Sequence, residues 1–376
     1  MFRSPRVLAL SILAFVACGR AAQPVAPSDA RVERAGEFAA ASNGGLRCAW
    51  PACAFTVHFE GSMLSAEVSD APVPDSTPDT DYLGVTLDGK AHAPLALRAG
   101  RQRIVLVRDA GPGRHVLRLV KRTEAEVGTV TVHAFHLPEG GRWFAPEAAN
   151  PLRMEVLGDS ISAGYGVLGS DGACEWRADL EDGDASYASV AAQLLGAQLT
   201  LKAWSGKGVA RNYDPRDRTP LPALLSFVLP FEPDAARVLP GAPPHVVVIH
   251  LGTNDFFAGE PDERAFKVAY RALLASVHAR APGALRVIVL SPMVTDGYPA
   301  ATSRSTLAQW LHALMDEEHA GGRAVVLVEQ RPREDEPRGC HGHPGVSAQA
   351  RFGRELAAML RKHLPSGALP EGQVGK

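Results

Sequence analysis

The sequence has little of several features that mark particular protein classes. Its 39 Lys+Arg and 41 Asp+Glu leave a net charge of −2, so no charge excess exists to drive binding to nucleic acid or to an acidic membrane. No internal repeat is visible, and no close cysteine pair comes with a histidine pair, which argues against a zinc site. After the first eighteen residues, no apolar stretch is long enough to span a bilayer.

The composition is that of a folded protein with a sizeable core. Hydrophobic residues make up 46% of the chain and charged residues 21%. The length of 376 residues corresponds to about two domains. The 36 glycines and 29 prolines predict a loop-rich or β-rich part.

The first eighteen residues have the pattern of a secretory signal. Arginines precede an apolar run over residues 7–17, and Cys18 follows. Residues 15–19 resemble a bacterial lipobox, in which the cysteine is acylated and becomes the mature N-terminus. Phe15 stands where such motifs usually carry Leu, so secretion without a lipid stays an alternative. We therefore predict a lipoprotein-type signal peptide over residues 1–18, lipidation at Cys18 and an extracytoplasmic location, with membrane association only through this anchor.

An oxidising location favours a structural role for the other four cysteines. Four cysteines allow three pairings. Cys48 and Cys53 are near neighbours flanking Trp50-Pro51, which favours a disulfide that closes a small loop. The remaining pair is then Cys174–Cys340.

The chain divides into regions of different periodicity. Residues 19–43 are rich in Ala, Pro, Ser and Gly and predict a flexible linker. Residues 44–148 contain short segments of alternating hydrophobicity separated by turn signals, which predicts a β-sandwich of the jelly-roll type. The predicted strands are 54–60, 63–69, 82–87, 102–107, 114–121 and 128–135.

After residue 148 the pattern changes to strands that alternate with helices. The predicted strands are 154–157, 199–203, 245–251, 285–290 and 324–328, and the predicted helices are 186–195, 263–279, 306–318 and 346–363. This alternation predicts a three-layer α/β/α domain with a parallel sheet over residues 149–365, followed by a tail over residues 366–376. The fold class is thus α/β, with a β-sandwich preceding it. Sites in such sheets gather beyond the carboxyl ends of the strands.

Three short motifs stand at those strand ends. Gly158-Asp159-Ser160 places a serine on a tight strand-to-helix turn, where helix N-terminal N–H groups surround it. Gly252-Thr253-Asn254-Asp255 follows a buried strand and offers a side-chain amide to a developing oxyanion. His343-Pro344 precedes the last helix. Each motif alone also fits a structural role as a helix cap, a turn or a proline in a first helical turn.

Together, the order and spacing of these motifs resemble the SGNH (GDSL-type) hydrolase superfamily. Its fourth conserved group is a glycine after the second strand, which Gly206 matches better than Gly208. The resemblance implies that Ser160 is the nucleophile and His343 the base. It also implies an oxyanion hole made by the N–H groups of Ser160 and Gly206 and the side chain of Asn254.

Further stretches resemble carbohydrate esterase family 2, and the similarity spans residues 50–360. They are Lys121-Arg122-Thr123-Glu124-Ala125, Gly128-Thr129-Val130, Gly158-Asp159-Ser160-Ile161, Gly164-Tyr165-Gly166, Ser205-Gly206-Lys207-Gly208-Val209 with Arg211-Asn212, and Gly252-Thr253-Asn254-Asp255-Phe256. In that family a jelly roll precedes the SGNH domain. The resemblance implies an esterase that removes acetyl groups from polysaccharides such as xylan and glucomannan, with no metal or other cofactor. The expected partner is an acetylated polysaccharide or oligosaccharide, and no nucleic acid.

One element of the family pattern is missing. SGNH enzymes usually place an Asp three residues before the histidine, where Cys340 stands, and family 2 members often place it two residues before, where His341 stands. A Ser–His dyad with a backbone carbonyl orienting His343, a carboxylate from residues 334–336, and a weak or inactive site are the alternatives. Loss of the orienting acid can cost about 10,000-fold in rate. A Cys174–Cys340 disulfide would hold the histidine loop in place.

The substrate surface is less well specified. A tryptophan that lines the cleft in the family is replaced by Gly342, and His341 is a second candidate base. Tyr165, Trp176 and Trp204 are candidate stacking surfaces for a sugar. A lipase or thioesterase-like SGNH hydrolase and a non-catalytic carbohydrate-binding lipoprotein remain the alternative functions.

Overall fold

The computed structural model describes residues 22–73, 80–147, 152–238 and 242–364. The signal peptide predicted over residues 1–18, the lipidation predicted at Cys18 and the tail predicted over residues 366–376 lie outside the described residues. No helix in the described part of the chain is long and apolar enough to cross a membrane.

The N-terminal domain consists of two antiparallel sheets that face each other. Its described strands are β1 (Val32–Ala35), β2 (Ala39–Ala40), β3 (Leu46–Cys48), β4 (Ala54–Glu60), β5 (Leu64–Pro72), β6 (Tyr82–Leu87), β7 (Lys90–Ala91), β8 (Leu95–Ala96), β9 (Gly100–Val107), β10 (Arg114–Lys121), β11 (Gly128–His136) and β12 (Arg142–Phe144). One sheet has the order β1-β4-β10-β6-β7, with β12 paired to β4 and β8 paired to β6. The other has the order β2-β3-β11-β5-β9. The predicted β-sandwich is confirmed.

Alternating side chains build the interior of this sandwich. Phe55, Val57 and Phe59 of β4 are buried, while the residues between them are partly exposed. Such alternation buries one face of each strand against the opposite sheet. Asp88 and Gly89 join β6 to β7 with φ angles of 49° and 78°, the positive values that a two-residue hairpin turn requires.

The flexible linker predicted over residues 19–43 is wrong for the part that the structure describes. β1 pairs with β4, and β2 pairs with β3, so residues 32–40 add strands to both sheets. Val25, Val32 and Phe38 are buried in the sandwich core. These strands are too short to alternate visibly in the sequence, and their burial depends on the sandwich core that the later strands form.

The second domain is a five-stranded parallel sheet with helices on both faces. Its described strands are β13 (Arg153–Gly158), β14 (Gln198–Ala203), β15 (Val246–His250), β16 (Leu285–Leu290) and β17 (Val325–Glu329), in the order β14-β13-β15-β16-β17. Its described helices are α1 (Ser160–Ala163), α2 (Tyr187–Leu195), α3 (Leu221–Leu224), α4 (Thr253–Phe257), α5 (Glu263–Arg280), α6 (Ser303–Ala320) and α7 (Val346–His363). The predicted fold class is confirmed.

Successive residues of the central strands point into two different cores. Val156 and Val248 pack with α2 and α7 on one face of the sheet. Leu157 and Ile249 pack with α5 and α6 on the other face. Both faces are covered, which explains why these strands are continuous apolar runs in the sequence.

The strand order places the topological switch at β13. The chain runs from β13 to its neighbour β14 on one side, and then crosses to β15 on the other side. The carboxyl ends of β13, β14 and β15 therefore lie next to one another, and this is where ligands bind in open α/β sheets.

The two domains share a packed interface. Trp50 and Ala125 of the sandwich are buried in the same core as α/β-domain residues. The Trp50 ring meets the Trp204 ring edge-on, with 6.3 Å between the ring centroids. An ion pair between Arg118 and Asp184, 2.6 Å long, also joins the domains.

Candidate active site

Ser160 lies where β13 ends and α1 begins. Gly158 has no room for a side chain, because a Cβ there would lie 2.1 Å from Ser162 Oγ. The Asp159 carboxyl group caps α1 by accepting a hydrogen bond of 3.0 Å from the Ile161 N–H. Ser160 keeps an exposed fraction of 7%. The turn thus presents its hydroxyl at the carboxyl edge of the sheet.

His343 meets this serine from the loop that precedes α7. Its Nε2 lies 2.8 Å from Ser160 Oγ, and its Nδ1 lies 3.0 Å from the Cys340 carbonyl oxygen. A carbonyl oxygen can only accept, so Nδ1 carries the proton. The unprotonated Nε2 then faces the serine hydroxyl as an acceptor.

The imidazole of His343 is neutral at neutral pH. Burial, with a smaller contribution from the nearby His341, lowers its pKa to about 4, although the hydrogen bond to the Cys340 carbonyl acts in the opposite direction. A neutral imidazole is the form that can take up a proton from a serine hydroxyl.

The carboxylate of an ordinary triad is replaced by a backbone group. Among the described residues, no carboxylate oxygen contacts the His343 ring. Glu336, from the acidic run considered above, instead forms a 2.6 Å ion pair with Arg351 on α7. The arrangement is the one expected for a Ser–His dyad oriented by a carbonyl.

His341, the second candidate base, has other partners. Its backbone has a φ of 52°. Its Nδ1 lies 2.9 Å from the Tyr165 hydroxyl, and its Nε2 lies 3.3 Å from Glu175. His343, and not His341, therefore contacts Ser160.

A disulfide fixes the loop that carries His343. The structure contains both predicted bonds, Cys48–Cys53 and Cys174–Cys340. Cys340 is fully buried, and its N–H donates to the Gly166 carbonyl at 3.0 Å. Both contacts join the histidine loop to the segment that follows Ser160.

Gly206 lies on the loop after β14, and Asn254 lies in the first turn of α4, which follows β15. The Asn254 Nδ2 donates to the Lys207 carbonyl at 2.9 Å, which leaves a second amide hydrogen for a ligand. The N–H of Gly206 has no partner among the residues that the structure describes, whereas the Gly208 N–H donates to Asn212 Oδ1 at 3.0 Å. Of these two glycines, Gly206 is thus the one whose N–H is available to a ligand.

Two contacts shape the Gly206 loop. Trp204 N–H donates to the Gly158 carbonyl at 3.2 Å, which joins the loop to the nucleophile turn. The buried Asp255 carboxyl group accepts three N–H hydrogen bonds of 2.8 Å from Val209, Ala210 and Arg211. Sequence reasoning treated Asp255 as a turn residue and missed this role, although it lies in a motif that had been singled out.

Gln349 is a second residue that sequence reasoning missed. Its side chain donates to the Ile161 carbonyl at 2.9 Å and accepts from the Tyr187 N–H at 2.8 Å. It thereby connects α7, which follows His343, with α1, which carries Ser160. The one available signal was a polar residue on the buried face of an amphipathic helix.

The three aromatic candidates have different environments. Tyr165 and Trp176 are half-buried and stacked, with 6.0 Å between their centroids and an interplanar angle of 19°. The Tyr165 ring also lies 4.6 Å from the His343 ring. Trp204 is only 8% exposed and donates through Nε1 to Glu126 at 3.0 Å. Its predicted role as a stacking surface is therefore wrong, because it forms part of the domain interface.

Two cavities differ in their relation to this site. One of about 400 Å³ is lined by His341, Gly342 and His343, together with Tyr298 and Arg338. The other, of about 900 Å³, lies between the domains at the amino ends of β13 and β14, away from the serine. In the described part of the chain, no group of three His, Cys, Asp or Glu side chains could hold a metal ion.

Comparison with known proteins agrees with this geometry. The family model of the GDSL-like Lipase/Acylhydrolase family matches residues 156–351. The chain belongs to this family. The model of the Carbohydrate esterase 2 N-terminal domain matches residues 35–146. The predicted membership of carbohydrate esterase family 2, within the SGNH superfamily, is confirmed. The predicted enzyme class, carboxylic ester hydrolase, is confirmed with it, because it is the class of the family.

Two curated relatives are similar to this chain over most of its length. Cellulase/esterase CelE of Acetivibrio thermocellus is 27% identical over 340 residues, which are 88% of this chain and 39% of that protein. An acetylxylan esterase / glucomannan deacetylase of Cellvibrio japonicus is 25% identical over 344 residues, 90% of each chain. The chain thus spans about two fifths of the first relative and nine tenths of the second.

Solved structures of the same family share the two-domain architecture. A family two carbohydrate esterase from Clostridium thermocellum in complex with cellohexaose has a TM-score of 0.81 and 26% identity, covering 90% of this chain and 100% of that one. A family two carbohydrate esterase from Cellvibrio japonicus has a TM-score of 0.77 and 22% identity, covering 90% and 97%. The second likeness concerns the fold alone.

Proposed function

We propose that this protein is a serine esterase that removes O-acetyl groups from polysaccharide outside the cytoplasm. The contact of 2.8 Å between Ser160 Oγ and His343 Nε2, with the opposite ring nitrogen on a carbonyl, carries this proposal. The named activities of the curated relatives, an acetylxylan esterase / glucomannan deacetylase among them, support the acetyl group and the substrate class.

The first half of the reaction forms an acetyl-enzyme. Ser160 Oγ attacks the acetyl carbonyl carbon while its proton passes to His343 Nε2. The carbonyl electron pair moves onto its oxygen, and the N–H groups of Ser160 and Gly206 with the Asn254 amide hold that oxyanion. Each such donor is worth about 100- to 1000-fold in rate. The sugar oxygen then leaves, taking the proton from His343.

The second half releases acetate. A water molecule attacks the acetyl carbonyl while His343 Nε2 takes its proton. The new oxyanion is held by the same donors. Its collapse breaks the bond to Ser160 Oγ, which recovers the proton from His343, and acetate departs.

A carbonyl can replace the usual carboxylate in one of its two roles. It holds Nδ1 in the protonated tautomer, the form that leaves Nε2 free to act as base. It carries no full charge, so it stabilises the imidazolium less than a carboxylate does. We therefore expect an active dyad whose histidine is a weak base.

The substrate is an acetylated polysaccharide of the xylan or glucomannan type. Tyr165 and Trp176 offer a paired aromatic surface beside His343, which suits the apolar face of a sugar ring. Two disulfides fit an oxidising compartment. A lipid on Cys18 would keep the enzyme at the cell envelope.

Turnover of defined esters tests this proposal. The wild type should hydrolyse aryl acetates faster than longer-chain aryl esters and should release acetate from acetylated xylan or glucomannan. Ser160→Ala should lower kcat by about 10,000-fold or more, because the nucleophile is gone. Circular dichroism of the variant checks that it is folded.

Other outcomes identify the alternative functions. A preference for long acyl chains would indicate a lipase or thioesterase-like enzyme. Hydrolysis that is equal in wild type and Ser160→Ala, or absent from both, would overturn the proposed activity. Retardation of the inactive protein in a polysaccharide gel would then indicate a carbohydrate-binding protein.

A further inference from the structure

The Lys121–Ala125 segment of the β-sandwich is buried although it leads into a loop. It starts at the end of β10 and runs toward β11, and all five of its residues have exposed fractions of 2% or less. Connecting segments usually run over a protein surface, since their backbone groups need water. This one is covered by the α/β domain instead, close to the carboxyl edge of the sheet.

Glu124 makes the contacts that explain this burial. One carboxyl oxygen accepts a 2.6 Å hydrogen bond from the Ser205 N–H, and the other contacts the Ser205 hydroxyl. Ser205 directly precedes Gly206, so Glu124 holds the peptide next to a proposed oxyanion donor. A carboxyl group that forms hydrogen bonds with both the N–H and the O–H of one residue fixes the position and the orientation of that residue.

The same residue also contacts the nucleophile side of the site. Its N–H donates to Glu181 Oε1 at 2.6 Å, and Glu181 Oε2 accepts from Trp176 Nε1 at 3.2 Å. Trp176 stacks on Tyr165, which lies against His343. Glu124 is therefore located between the loop of Gly206 and the aromatic pair beside the base.

The sandwich provides a rigid support for Glu124. Lys121 Nζ pairs with Asp81 at 2.8 Å and donates to the Thr123 and Glu124 carbonyl oxygens at 2.7 and 3.0 Å. Glu126, two residues after Glu124, accepts a hydrogen bond from the indole N–H of Trp204, which is the residue before Ser205. Two carboxyl groups of one sandwich loop thus hold two consecutive residues of the oxyanion loop.

We propose that Glu124 is a positioning residue for ester hydrolysis, which aligns the Ser205–Gly206 peptide so that the Gly206 N–H points at the oxyanion. This inference rests on the proposed function and extends it: the β-sandwich is part of the catalytic apparatus, in addition to any role in stability. Oxyanion donors act through preorganised geometry, so a support of this kind affects the transition state more than the ground state.

The protonation of Glu124 indicates which substitution preserves its contacts. Burial, together with the neighbouring charge of Glu126, raises its pKa to about 8. The Ser205 N–H and hydroxyl both donate to this carboxyl group, and the neutral acid can also reverse the second contact by donating to the hydroxyl oxygen. A glutamine has the same donor and acceptor at the same reach, whereas an aspartate keeps the acid and is one methylene shorter.

Three variants of Glu124 test the proposal with an aryl acetate as substrate. Glu124→Ala should lower kcat between about 10- and 100-fold and change KM less than about twofold, because the oxyanion donor is misplaced and substrate binding is not. Glu124→Gln should stay within about threefold of wild type, and Glu124→Asp should lose about 10-fold. If the charge of this side chain mattered and not its length, kcat would be higher for Glu124→Asp than for Glu124→Gln.

A matched control separates positioning from domain stability. Arg118→Ala removes the Arg118–Asp184 ion pair across the same interface. Arg118 lines the cavity at the amino ends of β13 and β14, whereas Gly206 follows the carboxyl end of β14, so this variant should leave kcat unchanged. If Glu124→Ala does not fold, the Gln and Asp variants decide the question. An active wild type with kcat retained in Glu124→Ala, or with Asp better than Gln, overturns the positioning role alone. A wild type with no Ser160-dependent hydrolysis overturns the proposed function as well.

Discussion

The two loops that carry the proposed nucleophile and the proposed base are constructed differently. The Ser160 turn is fixed by its immediate neighbours in the chain, the crowded Gly158 and the helix cap Asp159. The His343 loop is fixed by a distant partner, through the Cys174–Cys340 disulfide and its own backbone. A local motif can therefore position the proposed nucleophile, whereas the position of the proposed base depends on tertiary structure.

Removal of the Cys174–Cys340 disulfide should have the largest effect, because it changes the His343 loop and leaves the Ser160 turn intact. In Cys174→Ser/Cys340→Ser, we expect kcat to fall about 10-fold or more, because the carbonyl that orients His343 belongs to Cys340 itself. The disulfide closes a loop of sequence separation 166, and its loss should also cost about 4 to 5 kcal/mol in stability. The rate is measured on an aryl acetate at a temperature where the variant is folded.

The second disulfide provides the matched control. Cys48–Cys53 lies in the sandwich and has a sequence separation of only 5. Cys48→Ser/Cys53→Ser should therefore keep the wild-type kcat. Equal rates in both double variants would mean that the disulfide does not orient the histidine.

The pH profile tests the environment of the base. Because His343 must be neutral to accept a proton and its pKa is about 4, kcat/KM should fall about tenfold per pH unit only below about pH 4. The rate is measured between about pH 3 and pH 8, and activity regained on return to neutral pH excludes unfolding as the cause. An acid limb near 6.5, the ordinary pKa of histidine, would contradict a buried neutral imidazole.

Restoring a carboxylate should have the smallest effect. His341→Asp puts an acid at the position that family 2 members often use, yet Nδ1 of His343 already has an acceptor. We expect kcat at neutral pH to change by less than about threefold, and the acid limb to move to higher pH, since a nearby negative charge raises a histidine pKa. His341→Ala, which removes the same imidazole without adding charge, is the control. A gain of more than about tenfold would mean that the carbonyl orients His343 poorly.

The sequence predicted elements well where a pattern is local. The strands Ala54–Glu60, Tyr82–Leu87 and Leu285–Leu290 and the helix Val346–His363 have the predicted bounds, because alternation, continuous apolar runs and helical spacing reflect burial directly. β1 and β2 were missed because they have only four and two residues, too few to show a periodic pattern.

The residues of the candidate site also fall into those that the sequence predicts and those that depend on contacts between domains. Ser160 and His343 were identified because the order and spacing of their motifs resemble the SGNH superfamily, and the structure brings the two side chains into contact. The contact of Glu124 with Ser205 crosses two domains, and no periodicity in either domain indicates it. Trp204 was misassigned for the same reason, because the partner that buries it, Trp50, belongs to the other domain.

The position of the base along the chain has a consequence for biosynthesis. The two reacting atoms belong to residues 183 positions apart, and the helix after His343 is anchored to α1 by Gln349. In the proposed mechanism, a polypeptide that has not yet added His343 and the helix after it has a serine hydroxyl without its proton acceptor. We therefore expect a chain shortened before His343 to lack esterase activity even though it contains the entire Ser160 turn.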